Sequence, residues 1–186
     1  PLVNECVVNV GKGEDQTDKK IGALANSPSF FEKIKWFESL WPLQDVEKKR
    51  GGQILAEQTN LALDRCTHDW CLYLQADEVI HEADLPLIQD AIKRAAARPD
   101  VEGLLFDYIH FYGSYDVIQQ SRNVYRREVR VIRKSAGVQS VGDAQSFRKQ
   151  DGSKPRVIHS GARIFHYGWV RSPEAMREKT FFMDQL

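Results

Sequence analysis

The sequence lacks an excess of charge of either sign. It contains 26 Lys and Arg residues against 26 Asp and Glu residues, so its formal net charge at pH 7 is zero. A chain with no basic excess has no general electrostatic attraction for nucleic acid or for an anionic membrane. It also lacks an apolar run of roughly 18 residues, the length that a membrane-spanning helix needs. We therefore expect no nucleic-acid partner and no transmembrane segment.

Cysteine is scarce, with only Cys6, Cys66 and Cys71 in the chain. An odd number of cysteines at wide spacing does not form a disulfide framework and is typical of a reducing compartment. The sequence also shows no basic start followed by an apolar stretch, which a secretory signal peptide requires. These features predict a cytoplasmic location. Because His68 lies between Cys66 and Cys71, a metal site there stays an alternative to buried thiols.

What the sequence does contain is the composition of a globular protein. It has 186 residues, of which 42% are hydrophobic and 28% are charged. This length and balance suit one domain with a sizeable core. Because no repeat, low-complexity tract or linker interrupts the chain, we predict a single domain over residues 1–186.

Strand-like and helix-like segments alternate along the chain. The β-branched run Glu5–Val10 predicts a buried strand, and the apolar run Trp70–Leu74 predicts a strand covered on both faces. Further strands are predicted at Lys33–Leu40, Leu104–Tyr112, Tyr125–Arg133 and Arg163–Trp169, and helices at Asp15–Leu24, Gln53–Cys66, Asp84–Ala97 and from Ser172 onward. Such alternation predicts an α/β fold with a mixed, mainly parallel sheet flanked by helices.

Two loops follow predicted strands at the edge where sheets of this kind bind ligands, Asn9–Asp15 and Gln75–Glu78. The second loop contains the adjacent carboxylates Asp77 and Glu78. Hard oxygen ligands of this kind suit Mg²⁺ or Mn²⁺. A solvated turn that caps the next helix is the alternative interpretation of the same residues.

The turn Gln75-Ala76-Asp77-Glu78 after an apolar strand resembles the Asp-x-Asp motif of family-2 glycosyltransferases of the GT-A fold. Upstream, Cys6–Gly11 with Asp15-Gln16-Thr17 resembles the first strand and the Asp-Gly-Thr loop of that family. Leu55–Leu63 resembles the helix that leads to the metal strand. The sequence departs from the family pattern where Gln75 replaces the first Asp of the motif and Asn9 replaces an Asp that touches the base. The family also has a strand before the position of Pro1, so the resemblance implies a domain truncated at its N-terminus.

The resemblance implies an enzyme that moves a sugar from a nucleotide-diphosphate sugar to an acceptor hydroxyl, on a saccharide or another molecule, with inversion. It implies Mn²⁺ or Mg²⁺ as cofactor, held by Asp77 with Glu78 or His166 assisting. The nucleotide-binding residues that it implies are Asn9, Val10, Gly11, Asp15, Gln75 and Ala76.

The resemblance also places the catalytic carboxylate late in the domain, at the start of a helix. Asp143 occupies that place in chain order, and the alternative is that Asp143 only caps the helix. His110, Tyr112 and Trp169 are candidates for contact with the acceptor, since aromatic and polar side chains at strand ends can pack on a sugar, although core packing is the alternative for each.

Two other functions stay open. A nucleotidyltransferase on a similar sheet would need a Gly-rich phosphate loop, and Gly11-Lys12-Gly13 is short for that purpose. A non-catalytic relative that binds carbohydrate or protein is favoured by Gln75, because the exchange removes one carboxylate of the motif.

Overall fold

The computed structural model describes residues 2–13, 15–42, 45, 52–122 and 124–183. Within these residues the chain forms four α-helices and nine strands. The helices are α1 (Thr17–Ala25), α2 (Gln53–Arg65), α3 (Leu85–Ala96) and α4 (Pro173–Met183). The strands are β1 (Cys6–Gly11), β2 (Ile34–Ser39), β3 (Trp70–Leu72), β4 (Glu78–Val79), β5 (Gly103–Tyr112), β6 (Arg127–Arg133), β7 (Val138–Val141), β8 (Ser146–Lys149) and β9 (Val157–Trp169). The predicted mixture of helices and strands is confirmed. None of the helices in the described ranges has the length and apolar character needed to cross a membrane.

The chain divides into two compact units. The first consists of Pro1–Asp69 and Gln139–Ser146, and the second of Trp70–Val138 and Phe147–Leu186.

The first unit contains a parallel pair of strands connected by a helix. β1 and β2 pair in parallel from Cys6 opposite Ile34 to Gly11 opposite Ser39, and α1 connects them. Ile54 and Ala56 of α2 are buried, as the helical spacing of apolar residues predicts. This β1–α1–β2 segment is the strand–helix–strand alternation that the sequence predicts.

The second unit contains a five-stranded sheet in the order β3-β6-β5-β9-β4. Only the β5–β9 pairing is parallel, whereas β3–β6, β5–β6 and β4–β9 are antiparallel. The parallel majority that we expected is therefore not found in this sheet, because β6 returns directly alongside β5. Leu104, Phe106 and Ile164 of the sheet and Ile88 and Ala91 of α3 are fully buried and form its core.

β3 differs from the expected central strand. It spans three residues at the edge of the five-stranded sheet, and all three are half-buried. The expectation that Trp70–Leu74 is covered on both faces was wrong. An apolar run specifies a partly buried strand, but its place in the sheet depends on pairing with β6, which lies far along the chain.

Asp143 does not begin a helix. β7 and β8 form a two-stranded sheet, and Asp143 lies in the turn between them. In this turn Gly142 and Ala144 have φ values of 60° and 61°, in the left-handed region that tight turns use. The predicted helix start was wrong because the segment before Asp143 has the two-residue period of a strand, with Val138 and Ser140 buried and Gln139 and Val141 exposed.

Candidate functional site

The turn Gln75–Glu78 connects β3 to β4. The Glu78 N–H donates to the Gln75 carbonyl at 3.1 Å and closes the turn. β4 then pairs with β9, with Glu78 opposite His166, and the Tyr167 N–H donates to the Asp77 carbonyl at 2.9 Å. The pairing of these two strands therefore places Asp77 next to His166.

A cluster of charged and polar groups surrounds the Asp77 carboxylate. Its Oδ2 lies 3.6 Å from Nε2 of His166 and 3.7 Å from Nζ of Lys179, which extends from α4. Lys179 also donates to the Gly168 carbonyl at 2.8 Å. We call Asp77, His166, Gly168 and Lys179 the Asp77 cluster. The Asp77 side chain is 33% exposed, so the cluster is accessible to a ligand.

The electrostatics of the cluster keep Asp77 ionised. Burial by itself would raise the pKa of Asp77, but the neighbouring His166 and Lys179 outweigh it, and the pKa lies below its usual range. Burial lowers the pKa of Lys179, and nearby Arg171 acts in the same direction, while Asp77 partly offsets both. The cluster thus contains a carboxylate and an imidazole, which can bind a cation, and the ammonium group of Lys179, which can attract an anionic ligand.

Gly168 leaves the space in which the cluster forms. A Cβ added to Gly168 would collide with Oδ2 of Asp77 and would lie 2.7 Å from Nε2 of His166. Real Cβ atoms do not approach other atoms this closely, so any side chain would displace one of the two functional groups. The absence of a side chain at this position is what lets Asp77 and His166 approach each other.

Glu78 has a different environment. Its fully buried carboxylate accepts bonds from Nη2 and Nε of Arg130 at 2.9 and 3.2 Å, from the Tyr108 hydroxyl at 2.8 Å and from the Gln75 N–H at 3.1 Å. Burial alone would lower the pKa of Arg130, but Glu78 raises it above its usual range. These four bonds occupy the carboxylate in an internal ion pair that stabilises the turn, whereas the role of Glu78 as a metal ligand stays a prediction.

Two predicted acceptor residues lie at the end of the β5–β9 pair, and one does not. Tyr112 is opposite Trp169 in the strand register and is 47% exposed, while Nζ of Lys179 lies 4.8 Å from the centre of the Trp169 ring. His110 is only 3% exposed. Its Nδ1 lies 3.1 Å from Nδ1 of His166, and its Nε2 lies 2.8 Å from the Tyr125 carbonyl oxygen. His110 therefore contacts His166 from inside the sheet rather than presenting itself to solvent.

The other two residues of the turn, Gln75 and Ala76, remain candidates for the nucleotide. Gln75 is half-buried and its Nε2 donates to the Tyr73 hydroxyl at 3.2 Å, while Ala76 is exposed. Ala76 thus offers backbone groups in the turn, whereas the Gln75 side chain is bonded to Tyr73.

The first unit contains the remaining predicted nucleotide residues. Nδ2 of Asn9 donates to the backbone and side-chain oxygens of Gln58 at 3.0 and 2.9 Å, and its Oδ1 lies 2.6 Å from the Ser39 hydroxyl. Gln58 is 5% exposed. The Asn9 amide therefore links β1, β2 and α2, and this role accounts for its polar atoms without a ligand.

Val10 is buried, and the Trp41 indole lies directly against Gly11, 2.8 Å from where a Cβ would be. The space beside Gly11, where the resemblance implied a nucleotide, is thus occupied by the Trp41 indole. Asp15 is exposed, and its Oδ1 accepts from the Thr17 N–H at 3.0 Å at the start of α1. This contact lowers the pKa of Asp15.

Asp143 is exposed, and its Oδ1 accepts from the Gln145 N–H at 3.2 Å. Its backbone packs against Gly52 at the start of α2, since a Cβ on Gly52 would lie 2.6 Å from the Asp143 Cα. A cleft of about 430 Å³ adjoins this turn and is lined by Gln53, Ala56, Glu57, Asn60, Ser140, Val141 and Gly142. Asp143 is thus a solvent-accessible carboxylate beside a polar cleft.

The donors of the Asp77 cluster fit part of a cation shell. In the described part of the chain, no group of three or more His, Cys, Asp or Glu side chains is arranged to hold a metal ion. Asp77 and His166 supply one oxygen and one nitrogen. Mg²⁺-type ions retain several waters and take phosphate oxygens as ligands, so this pair fits a cation that shares its shell with a diphosphate.

Sequence reasoning missed Lys179 and Arg130 as partners of the motif carboxylates. Neither residue stands out in the sequence. Lys179 is a lysine on a helix and Arg130 is one of several arginines in β6, and both patterns are common on solvated surfaces. Both are brought to the turn by strand pairing and by the packing of α4.

Comparison with known proteins gives no family assignment. No protein-family model matches the chain, and no curated protein matches it significantly.

Proposed function

We propose that the protein is a glycosyltransferase with a GT-A-like fold that uses a divalent cation to transfer a sugar from a nucleotide-diphosphate sugar to an acceptor hydroxyl. The observation that carries the proposal is the meeting of Asp77 and His166 at 3.6 Å. The resemblance to family-2 glycosyltransferases assigns these two residues, far apart in sequence, to one metal site. The β1–α1–β2 segment gives further support to the GT-A-like arrangement.

The chain's own residues have the following roles in this proposal. Asp77 and His166 hold the cation, which supplies positive charge for the leaving diphosphate when it is bound. Lys179 adds a second positive charge at 3.7 Å from Asp77. Tyr112 and Trp169 provide aromatic surface next to Lys179 for a sugar ring.

Asp143 is the proposed base that takes the proton of the acceptor hydroxyl. It is exposed, and its one described side-chain hydrogen bond is the contact with its own turn, so a second carboxylate oxygen can face an acceptor. The adjoining cleft offers amide, hydroxyl and carboxylate groups of the kind that bind sugar hydroxyls.

The test measures the release of nucleoside diphosphate from a panel of UDP-, GDP- and dTDP-sugars. Each reaction is run once with Mn²⁺ and once with a chelator, and the product is quantified by chromatography. Wild-type protein should release product only with the metal, and Asp77→Ala should abolish the metal-dependent part. Asp90→Ala is a matched control, because Asp90 is an exposed carboxylate on α3. Equal product release by Asp77→Ala and wild type would contradict the assignment.

A binding protein related to these enzymes is the second candidate. The observations that favour it are the internal bonds of Glu78 and the presence of Gln75 in the motif, because together they leave Asp77 as the one motif carboxylate that faces the cluster. Metal-dependent nucleotide binding without release of product from any donor would select this candidate over the enzyme.

A further inference from the structure

Behind His166 lies a chain of hydrogen-bonding groups that the proposed roles do not use. His110 connects the Tyr125 carbonyl oxygen, 2.8 Å from its Nε2, to Nδ1 of His166, 3.1 Å from its own Nδ1. His110 and His166 are 3% and 7% exposed. Because both rings are nearly closed off from water, the bond between them is governed by the protein groups around them.

The chemistry of these partners determines where the hydrogens lie. A carbonyl oxygen can only accept, so Nε2 of His110 carries a hydrogen and donates it to Tyr125. In the neutral ring, which carries a single hydrogen, Nδ1 of His110 therefore retains a lone pair. Nδ1 of His166 then donates to Nδ1 of His110. This leaves Nε2 of His166, on the side of Asp77, as the nitrogen that can bind a cation.

We propose that His110 is a positioning residue for the cation site, holding His166 in the Nδ1–H tautomer so that its Nε2 and the Asp77 carboxylate face one divalent cation. This inference rests on the cation of the proposed function, but not on sugar transfer itself. Hydrogen bonds from a second residue commonly fix the ring orientation and tautomer of a metal-binding histidine.

Ring packing holds His110 in place for this role. Its ring meets Tyr125 edge-on with centroids 4.6 Å apart and stacks on Tyr108 with centroids 5.5 Å apart. Tyr108 in turn donates to the buried carboxylate of Glu78. The internal ion pair of Glu78 therefore supports His110 indirectly. Through His110 and His166, the buried Glu78 is connected to the partly exposed Asp77.

Two substitutions separate hydrogen bonding from packing. His110→Phe keeps a ring of similar size but removes both nitrogens. His110→Gln supplies one donor and one acceptor and so can replace both hydrogen bonds. His159→Phe is the matched control, because His159 is a partly exposed histidine of the same strand as His166.

The measurement is Mn²⁺ binding to the whole protein without nucleotide, by electron paramagnetic resonance of the free ion. We expect His110→Phe to weaken binding by roughly tenfold or more, in line with the loss of such second partners. His110→Gln and His159→Phe should bind Mn²⁺ close to wild type. Circular dichroism establishes that each variant is folded.

A second measurement does not depend on any variant. Nitrogen-15 NMR of the metal-free wild-type protein, at a pH where its histidines are neutral, should show the hydrogen of His166 on Nδ1. A hydrogen on Nε2 would overturn the proposal. So would wild-type Mn²⁺ affinity in His110→Phe, an equal loss in His110→Gln, or no Mn²⁺ binding by the wild type.

Failure of the proposed function gives a different result. In that case the donor panel yields no nucleoside diphosphate while Mn²⁺ still binds and still responds to His110→Phe.

Discussion

Gly168 shows how one residue without a side chain shapes the Asp77 cluster. We expect Gly168→Ala to weaken Mn²⁺ binding by roughly tenfold or more, because its methyl group takes the space beside Asp77 and Nε2 of His166. Isothermal titration calorimetry measures the change. Gly22→Ala is a suitable control, since a Cβ at that helical position meets Trp36 at 3.4 Å in ordinary contact. An unchanged Mn²⁺ affinity in Gly168→Ala would show that the cation does not bind at the Asp77 cluster.

Asp143 supports a second prediction at the scale of the residue. Asp143→Asn keeps the oxygen that accepts from the Gln145 N–H, so stability should be unchanged. If Asp143 is the base, turnover should fall roughly hundredfold or more while donor binding is retained. Steady-state kinetics with one donor and one acceptor measure turnover as kcat and report on donor binding through KM. Near-normal turnover in Asp143→Asn would show that Asp143 only stabilises its turn and is not the base.

The candidate site could be predicted only in part, and the reason is visible in single residues. Asp77 was predicted from the motif turn, and His166 was predicted as a late histidine of the kind that the resemblance implies beside the metal. Glu78 has the same motif signal as Asp77, yet its side chain points into Arg130 and Tyr108. Asp77 lies in the turn whereas Glu78 begins β4, and only the pairing of β4 with β9 determines which of the two carboxylates is buried.

At the scale of the element, the ion pair between Glu78 and Arg130 attaches the turn before β4 to β6. We expect Arg130→Met to destabilise the protein by about 3–5 kcal/mol, because it leaves a buried carboxylate without its charged partner. Urea denaturation measures the loss. Arg98→Met is the control, since the pair with Asp100 is exposed and such pairs contribute about 1 kcal/mol or less.

The double variant Glu78→Leu with Arg130→Met completes this test. Removing both charges avoids an unpaired buried ion, so the double variant should be more stable than Arg130→Met alone. The opposite order of stability would show that the ion pair does not carry the effect.

Glu5 connects three elements of the first unit and predicts a pH dependence. Its carboxylate lies 2.7 Å from Nζ of Lys35 on β2, and accepts from the backbone and side chain of Thr67, just after α2, at 2.6 and 2.8 Å. Burial alone would raise the pKa of Glu5, but the bonds from Lys35 and Thr67 lower it from 4.5 to about 2. The folded state therefore favours the ionised carboxylate.

A lowered pKa stabilises the folded state above the ordinary pKa of 4.5, and this effect is lost as the pH falls toward 2. Glu5→Gln should thus destabilise the protein by about 1–2 kcal/mol at pH 6. The difference in stability from wild type should shrink steadily as the pH falls from 4.5 toward 2. Urea denaturation at several pH values gives both curves, and a difference independent of pH would exclude the charge of Glu5 as its source.

The elements were predictable where a local pattern specifies them. The period of apolar residues in α3 and the β-branched run of β1 give both elements to within a few residues. β9 was predicted only from Arg163 onward, because Ser160 and Gly161 interrupt its apolar pattern. The order of strands in the sheet could not be predicted. Each pairing joins two segments that are distant in sequence, and neither segment contains a pattern that identifies its partner.

At the scale of the whole molecule, the chain has two compact units, and ligand effects on stability should be interpreted with that division in mind. The Asp77 cluster lies in the second unit, which also contains Trp70 and Trp169. The first unit contains Trp36 and Trp41. If the two units unfold in separate transitions, a single melting temperature does not describe the protein, and calorimetry is needed to resolve them.

A ligand that binds only the folded protein stabilises it by mass action, by about 2.7 kcal/mol at a hundred times its dissociation constant. For a chain of this length, 1 kcal/mol shifts the melting temperature by about 2–4 °C. We therefore expect UDP or GDP with Mn²⁺ to raise the transition that contains the second unit by about 5–10 °C. Mn²⁺ alone should raise it less, because the protein supplies only two of the ligands. Asp77→Ala should lose the joint effect while Asp90→Ala retains it, and a shift that is equal in Asp77→Ala and wild type would place nucleotide binding away from the Asp77 cluster.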